Sequence, residues 1–233
     1  MYKRQDLHVL AKINLIMHGD GYNNIYQGDT LRSCKLPDSS FDVVFTNPPF
    51  TIPYAFSDVL SQYEMGIGRD NQELDILFVE RCIKALDAKR GGELYIVLPE
   101  GLLNVKTYQS FREWLLSKCY LVTVVSLPEG AFIPFGKSVS KTTILGVRKR
   151  DGSRQEKNKP HKVFLATAKE VGYEVGKKDY RPHNKSDLKI FLEKSRMYFD
   201  GIYQTENGGE CGWVEQDEIS SRRIDASFLL NIQ

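Results

Sequence analysis

The chain has 233 residues, 41% of them hydrophobic and 27% charged, which fits a soluble globular protein with one large domain or a domain plus an appendage. Its 32 Lys and Arg against 30 Asp and Glu leave a net charge of +2, so overall charge names no partner and only its local distribution can. The four cysteines, Cys34, Cys82, Cys119 and Cys211, form no CxxC pair, and His8, His18, His161 and His183 show no ligand spacing; buried reduced thiols in a cytoplasm are expected, with no disulfide framework and no metal.

In chain order, "MYKRQDLHVLAKINL" lacks the apolar core of a signal peptide. Residues 6–18 carry Leu7, Leu10, Ala11, Asn14 and Leu15 at helical spacing, and "HGDGYNN" breaks that helix. "NIYQGDTL" predicts a short strand ending at Gly28-Asp29, and "FDVVFT" predicts a β-branched and aromatic strand. "NQELDILFVERCIKALDAKRGG" predicts a helix with Leu74, Leu77, Phe78, Cys82, Ala85 and Leu86 on one face and Gly91 as its stop. Strand "ELYIVLP", helix "YQSFREWLLSKC" and strand "LVTVVSL" follow, with Cys119 assigned, like Cys82, to an apolar helical setting. A loop holding Phe132, Pro134 and Phe135 leads to a last core strand, "SKTTILGVRK". No run approaches the ~18 apolar residues of a membrane span.

Strands alternating with helices predict an α/β fold with a mostly parallel, doubly wound sheet. "DVVFT", "LYIVL" and "VTVVSL" are apolar nearly throughout, as for strands covered on both faces. The loop between "LVTVVSL" and "SKTTILGVRK" is too short for a helical crossover, so that pair is expected to be antiparallel. Residues 1–150 form the expected core and 151–233 a C-terminal extension with a short strand, "KVFLAT", and a helix, "KSDLKIFLEKSR". From Arg148 to Lys162 there are seven Lys or Arg and two acids, a stretch that reads as a solvated hairpin in preference to a contact with DNA phosphates. Arg69, in "GIGRD", lies where a mobile loop near substrate is often found.

The informative stretch is Asn47-Pro48-Pro49-Phe50, directly after "DVVFT". Ligands of open α/β sheets bind beyond the carboxyl ends of the strands, so this tetrapeptide falls on the functional rim. Two prolines fix two consecutive φ angles and remove two N–H donors, which leaves a stiff backbone that presents carbonyls. Asn47 adds a side-chain acceptor and donor and is itself held extended by Pro48. Two acceptors beside an aromatic plane suit a flat ring that bears an amino group.

"NPPF" behind a buried strand resembles the catalytic motif of S-adenosylmethionine-dependent methyltransferases that act on exocyclic amines, above all adenine in DNA. The ordered blocks "LAKINLIMHGDGYNNIYQGDTL", "FDVVFTNPPF", "GGELYIVLPEGLL" and "LPEGAFIPFGKSVSKTTIL", over roughly residues 7–150, are similar to the modification subunit of type I restriction-modification systems. The resemblance implies a Rossmann-like methyltransferase fold and site-specific N6-methylation of an adenine flipped out of double-stranded DNA. It implies that Asn47 and the Pro48 carbonyl hold the amine, with Pro49 completing the rigid motif, and that Phe50 stacks on the base. Phe132 or Phe135 would supply the second face, with Phe132 the better fit. Asp29 would bond the adenine amine of S-adenosylmethionine, and Asn47 also borders that cofactor. A specificity subunit is the implied partner, with a restriction subunit as an open third member.

The chain departs from the family's pattern in having no Gly-rich turn between a first strand and its helix: Gly19-Asp20-Gly21 and Gly66-Ile67-Gly68 lie elsewhere. It therefore reads as a methyltransferase fold truncated at its N-terminal end. Weak or no binding of S-adenosylmethionine by this chain alone is expected, as is an unpaired sheet edge covered by self-association or a partner chain. Two alternatives stay open: a catalytically inactive module that binds DNA or a partner subunit, and a methyltransferase for another planar amine, a protein glutamine or an RNA base.

Overall fold

The computed structural model describes residues 2–20, 23, 25–32, 36–136, 140–153, 161–199 and 210–230. It forms two compact units, Met1–Pro37 and Asp38–Gln233. In the first, α1 (Tyr2–Met17) is the expected helix, with Leu7, Leu10, Ile13 and Ile16 exposed. The strand expected over "NIYQGDTL" does not form: residues 25–32 are irregular or in turns. A strand needs a neighbour to take its backbone N–H and C=O groups, and no described residue of this unit supplies a ladder.

The second unit is built on a six-stranded sheet ordered β1-β4-β6-β5-β7-β10. Its strands are β1 (Val43–Thr46), β4 (Glu93–Pro99), β5 (Cys119–Ser126), β6 (Thr142–Lys149), β7 (Lys162–Thr167) and β10 (Cys211–Glu215). β1 runs parallel to β4, and β5 to β7, while β6 is antiparallel to both β4 and β5. β10 is antiparallel to β7. Thus β1, β4, β5 and β7 share one direction, and β6 makes the expected antiparallel pair with β5. Residues beyond 150 continue the same sheet. Two short ribbons stand outside it: β2 (Pro53–Tyr54) with β3 (Gln72–Glu73), and β8 (Val171–Tyr173) with β9 (Pro182–Ser186).

The main core lies between the sheet and the helices α3 (Leu74–Ala85) and α5 (Gln109–Lys118). β4 alternates as a half-covered strand should, with Leu94, Ile96 and Leu98 buried. On α3 the residues that reach this core are Ile76, Val79, Cys82 and Ile83, while Leu74 and Phe78 are only half-buried. Buried Asp75, Glu80 and Arg81 make α3 covered on nearly every side, so a single-face reading of its sequence misplaces the stripe. The helix stops at Ala85 because Leu86 is already extended (ψ 140°), and Gly91 (φ +72°) serves the turn into β4 instead. Cys119 opens a strand, not a helix; burial pushes both the Cys82 and Cys119 thiols up to about 12.

At the sheet's end the expectation of two covered faces fails. Val43 is 46% and Phe45 76% exposed, while Val44 and Thr46 on the opposite face are half-buried. β1 pairs with β4 alone in the sheet, so the apolar run marks a strand whose one face no described element of its unit covers.

Candidate active site

Thr46, Pro99, Ser126 and Thr167 end the four codirectional strands and lie at one rim of the sheet. The segment 47–50 leaves β1 at this rim. Asn47 is exposed, and its amide makes no hydrogen bond to any described residue. Pro48 is buried and fixes the segment, Pro49 is exposed, and Phe50 is half-buried. The next residue, Thr51, has φ +53°, a left-handed conformation that costs a β-branched residue on the order of 1–2 kcal/mol.

Two hydrogen bonds and a strand pairing hold that strained turn. The Thr51 N–H donates to Asp75 Oδ2 (3.2 Å), the Leu74 N–H donates to the Ile52 carbonyl (2.9 Å), and β2 pairs with β3. Asp75 stands in the first turn of α3, fully buried, and its Oδ1 accepts the Ile76 N–H (3.0 Å). Burial raises its pKa, the bonds from Thr51 and Ile76 oppose that shift, and nearby Glu73 adds to it. The sequence gives one signal for Asp75, a carboxylate inside the otherwise apolar helix start "LDIL".

Phe50 and Phe132 meet edge to face, with ring centroids 6.2 Å apart and planes at 88°. Phe132 comes from the loop between β5 and β6. Phe135 stands elsewhere, against Tyr173 and Tyr180, both at 5.4 Å. The structure thus brings Phe132, and not Phe135, to the asparagine-proline segment. Asp29, in the first unit, closes an Asx-type turn: its Oδ1 accepts the Leu31 N–H (3.0 Å), and Arg32 Nε lies 3.7 Å from Oδ2.

A cavity of about 360 Å³ opens on the rim, lined by Thr51, Glu73, Asp75, Pro99, Glu100, Gly101, Asn104, Tyr108 and Lys141 among others. The Pro99-Glu100-Gly101 turn forms part of its wall. Glu100 is nearly buried, accepting the Ser126 hydroxyl and pairing with Lys141 Nζ (2.8 Å). Tyr108 donates its hydroxyl to Glu73 Oε1 (2.6 Å); burial, then Glu73, push the phenol up to about 12. Glu73, Tyr108 and Lys141 carry no motif, and their proximity is visible only in the fold.

The family model for N-6 DNA methylases matches residues 2–231. The chain belongs to the N-6 DNA methylase family. It is 32% identical over 154 residues to the EcoEI type I restriction enzyme methylase subunit of Escherichia coli, a match that covers 61% of this chain and 28% of that protein. A solved chain of a type I R-M system superposes with a TM-score of 0.66 at 22% identity, over 93% of this chain and 43% of the other. The type I restriction-modification methyltransferase subunit of Streptococcus thermophilus gives 0.62 at 21% identity, over 90% and 42%. These structures show the fold, and the chain spans less than half the length of each of these relatives.

The described residues thus bring Asn47, Pro48 and Phe50 to one rim with Phe132 beside Phe50, while Asp29 belongs to the first unit and accepts the Leu31 N–H there.

Proposed function

We propose that this chain supplies the target-base pocket for site-specific N6-methylation of adenine in double-stranded DNA, within a type I restriction-modification system. The observation that carries the proposal is the unengaged Asn47 amide on a proline-stiffened strand end, with Phe50 beside Phe132. A planar exocyclic amine has two N–H bonds. Asn47 Oδ1 and the Pro48 carbonyl accept them side by side, which directs the nitrogen lone pair out of the ring plane. The work of these residues is orientation and electrostatics, and they need no strong base if the proton leaves after attack. Phe132 turns parallel to Phe50 to sandwich the flipped base, since an edge-to-face pair at 6.2 Å leaves no slot for a ring. When bound, S-adenosylmethionine would supply the methyl group. Residues 1–150 carry the pocket and 151–233 complete the far side of the sheet.

The test is methyl transfer to plasmid DNA by the chain assembled with a specificity subunit. Asn47→Ala should lower the rate by roughly 100-fold or more; an unchanged rate sinks the proposal. The Asp29 carboxylate, engaged in its own turn, favours a second reading, an inactive module that binds DNA or a partner subunit. That reading gains if the wild-type assembly binds DNA but transfers no methyl group.

A further inference from the structure

We propose that the β8–β9 ribbon is a clamp for the phosphate backbone of duplex DNA beside the base pocket, gripping through Lys177, Lys178 and Arg181. The inference rests on the proposed methyltransferase reading for its choice of ligand and adds a second contact surface to it.

Placement is the first argument. β7 ends at Thr167, level with Ser126 at the end of β5, so the ribbon leaves the sheet at the rim where residues 47–50 stand. The ribbon is also fastened to the loop that carries Phe132. The Tyr173 hydroxyl donates to the Ala131 carbonyl (2.7 Å), and Phe135 packs on Tyr173 and Tyr180. A Cβ built on Gly130 would lie 3.3 Å from the Cα of Gly176, so ribbon tip and loop are in close contact. The Asp187 carboxylate accepts the Lys169 and Glu170 N–H groups (2.8 Å each), which fixes the ribbon's base to α7 (Asp187–Phe199).

Charge is the second argument. From Lys177 to Lys185 the sequence "KKDYRPHNK" has four Lys or Arg and one acid. Lys177, Lys178 and Arg181 are exposed; Arg181 has a long ion pair with Glu174 (3.6 Å), and the two lysines pair with no described acid. The basic run after β6 contrasts with this. Arg148 is forked onto Glu93 (3.0 and 2.8 Å), Lys149 Nζ donates to the Leu86 carbonyl (2.8 Å), and Arg150 stacks on Tyr120 at 3.6 Å. Those three cations are engaged by their own fold, and residues 154–160 lie outside the described set. The ribbon offers two lysines without a described acidic partner and a loosely paired arginine at the functional rim. That is the arrangement a phosphate backbone selects, because each neutralised phosphate releases condensed counterions.

The experiment measures duplex binding by the chain assembled with a specificity subunit, over a series of salt concentrations. The probes are duplexes with and without a target site, and the variant is Lys177→Gln/Lys178→Gln. Expected are a loss of roughly 10- to 50-fold near 0.1 M salt, equal on both duplexes, and a salt slope shallower by about two. The variant's thermal midpoint should stay at the wild-type value, since both side chains are solvent-exposed. An unchanged slope, a loss confined to the target duplex, or a loss of the specificity subunit with DNA binding intact would each overturn the clamp. Asn47→Ala tests the pocket separately: indifference there with a shallower ribbon slope rejects the methyltransferase reading and leaves the DNA surface standing.

Discussion

A single buried carboxylate braces the turn that follows Asn47-Pro48-Pro49-Phe50. Asp75 accepts the N–H of Thr51, whose positive φ would otherwise relax, and it does so from a site where its charge is poorly solvated. Its folded pKa is raised above the unfolded value near 3.8. The protonated form therefore favours the fold, and that contribution is fully present below the unfolded pKa and lost as pH rises through the folded one. Asp75→Asn removes the charge and keeps one acceptor, for Thr51, while giving up the one for the Ile76 N–H. It should flatten the stability profile in that window and cost less than alanine at pH 7, as read from urea midpoints at several pH values. Asp75→Ala removes the acceptor as well and should cost roughly 1–3 kcal/mol. Equal losses for Asn and Ala at pH 7 would show that the turn depends on the charge itself. Around this segment, the placement of Asn47, Pro48, Pro49, Phe50 and Phe132 at the rim was legible because a motif and its order carry them. Asp75 and Thr51 were not, because their contact spans 24 positions and rests on a backbone angle that no residue type demands.

Among the elements, one fastening is not revealed by helical periodicity. Arg112, on α5, is fully buried and donates to four backbone carbonyls: Leu102 (3.0 Å), Val105 (2.8 Å), Ser221 (2.7 Å) and Arg222 (2.7 Å). The first two belong to α4 (Gly101–Asn104) and the residue after it, just beyond β4, and the other two to the C-terminal segment. Burial lowers the guanidinium pKa, yet the group stays charged at any ordinary pH. Arg112→Ala would strand four acceptors and should cost at least about 3 kcal/mol, read from urea unfolding of the full chain. Arg112→Lys should recover little, because a lysine cannot fork to both segments. A loss below about 1 kcal/mol for alanine would refute the fastening. The long elements β4, β5, β6, α3 and α5 were legible from apolar periodicity. The β8–β9 ribbon was not, since β8 has only three residues and β9 is polar, and neither was the irregular path of "NIYQGDTL", whose composition suits a strand that finds no ladder in its own unit.

At the scale of the molecule, cofactor binding depends on how many walls the rim has. Open α/β sheets hold ligands in a crevice between loops that diverge from neighbouring parallel strands. In this sheet β1, which delivers Asn47, stands at the end of the order and, among the described residues, pairs with β4 alone, so within its own unit the crevice is walled on one side. The exposed Val43 and Phe45 mark the same open flank, and Asp29 is engaged in its own turn. This chain alone should therefore bind S-adenosylmethionine more weakly than about 100 μM. Calorimetric titration measures it directly, and thermal unfolding gives an independent readout. A ligand at 100-fold its Kd would add about 2.7 kcal/mol of stability and shift the midpoint by several degrees, whereas we expect no shift at 100 μM. Light scattering tests the flank itself: an uncovered strand edge with apolar side chains should drive association as concentration rises. Micromolar cofactor binding by a clean monomer would overturn the one-sided crevice.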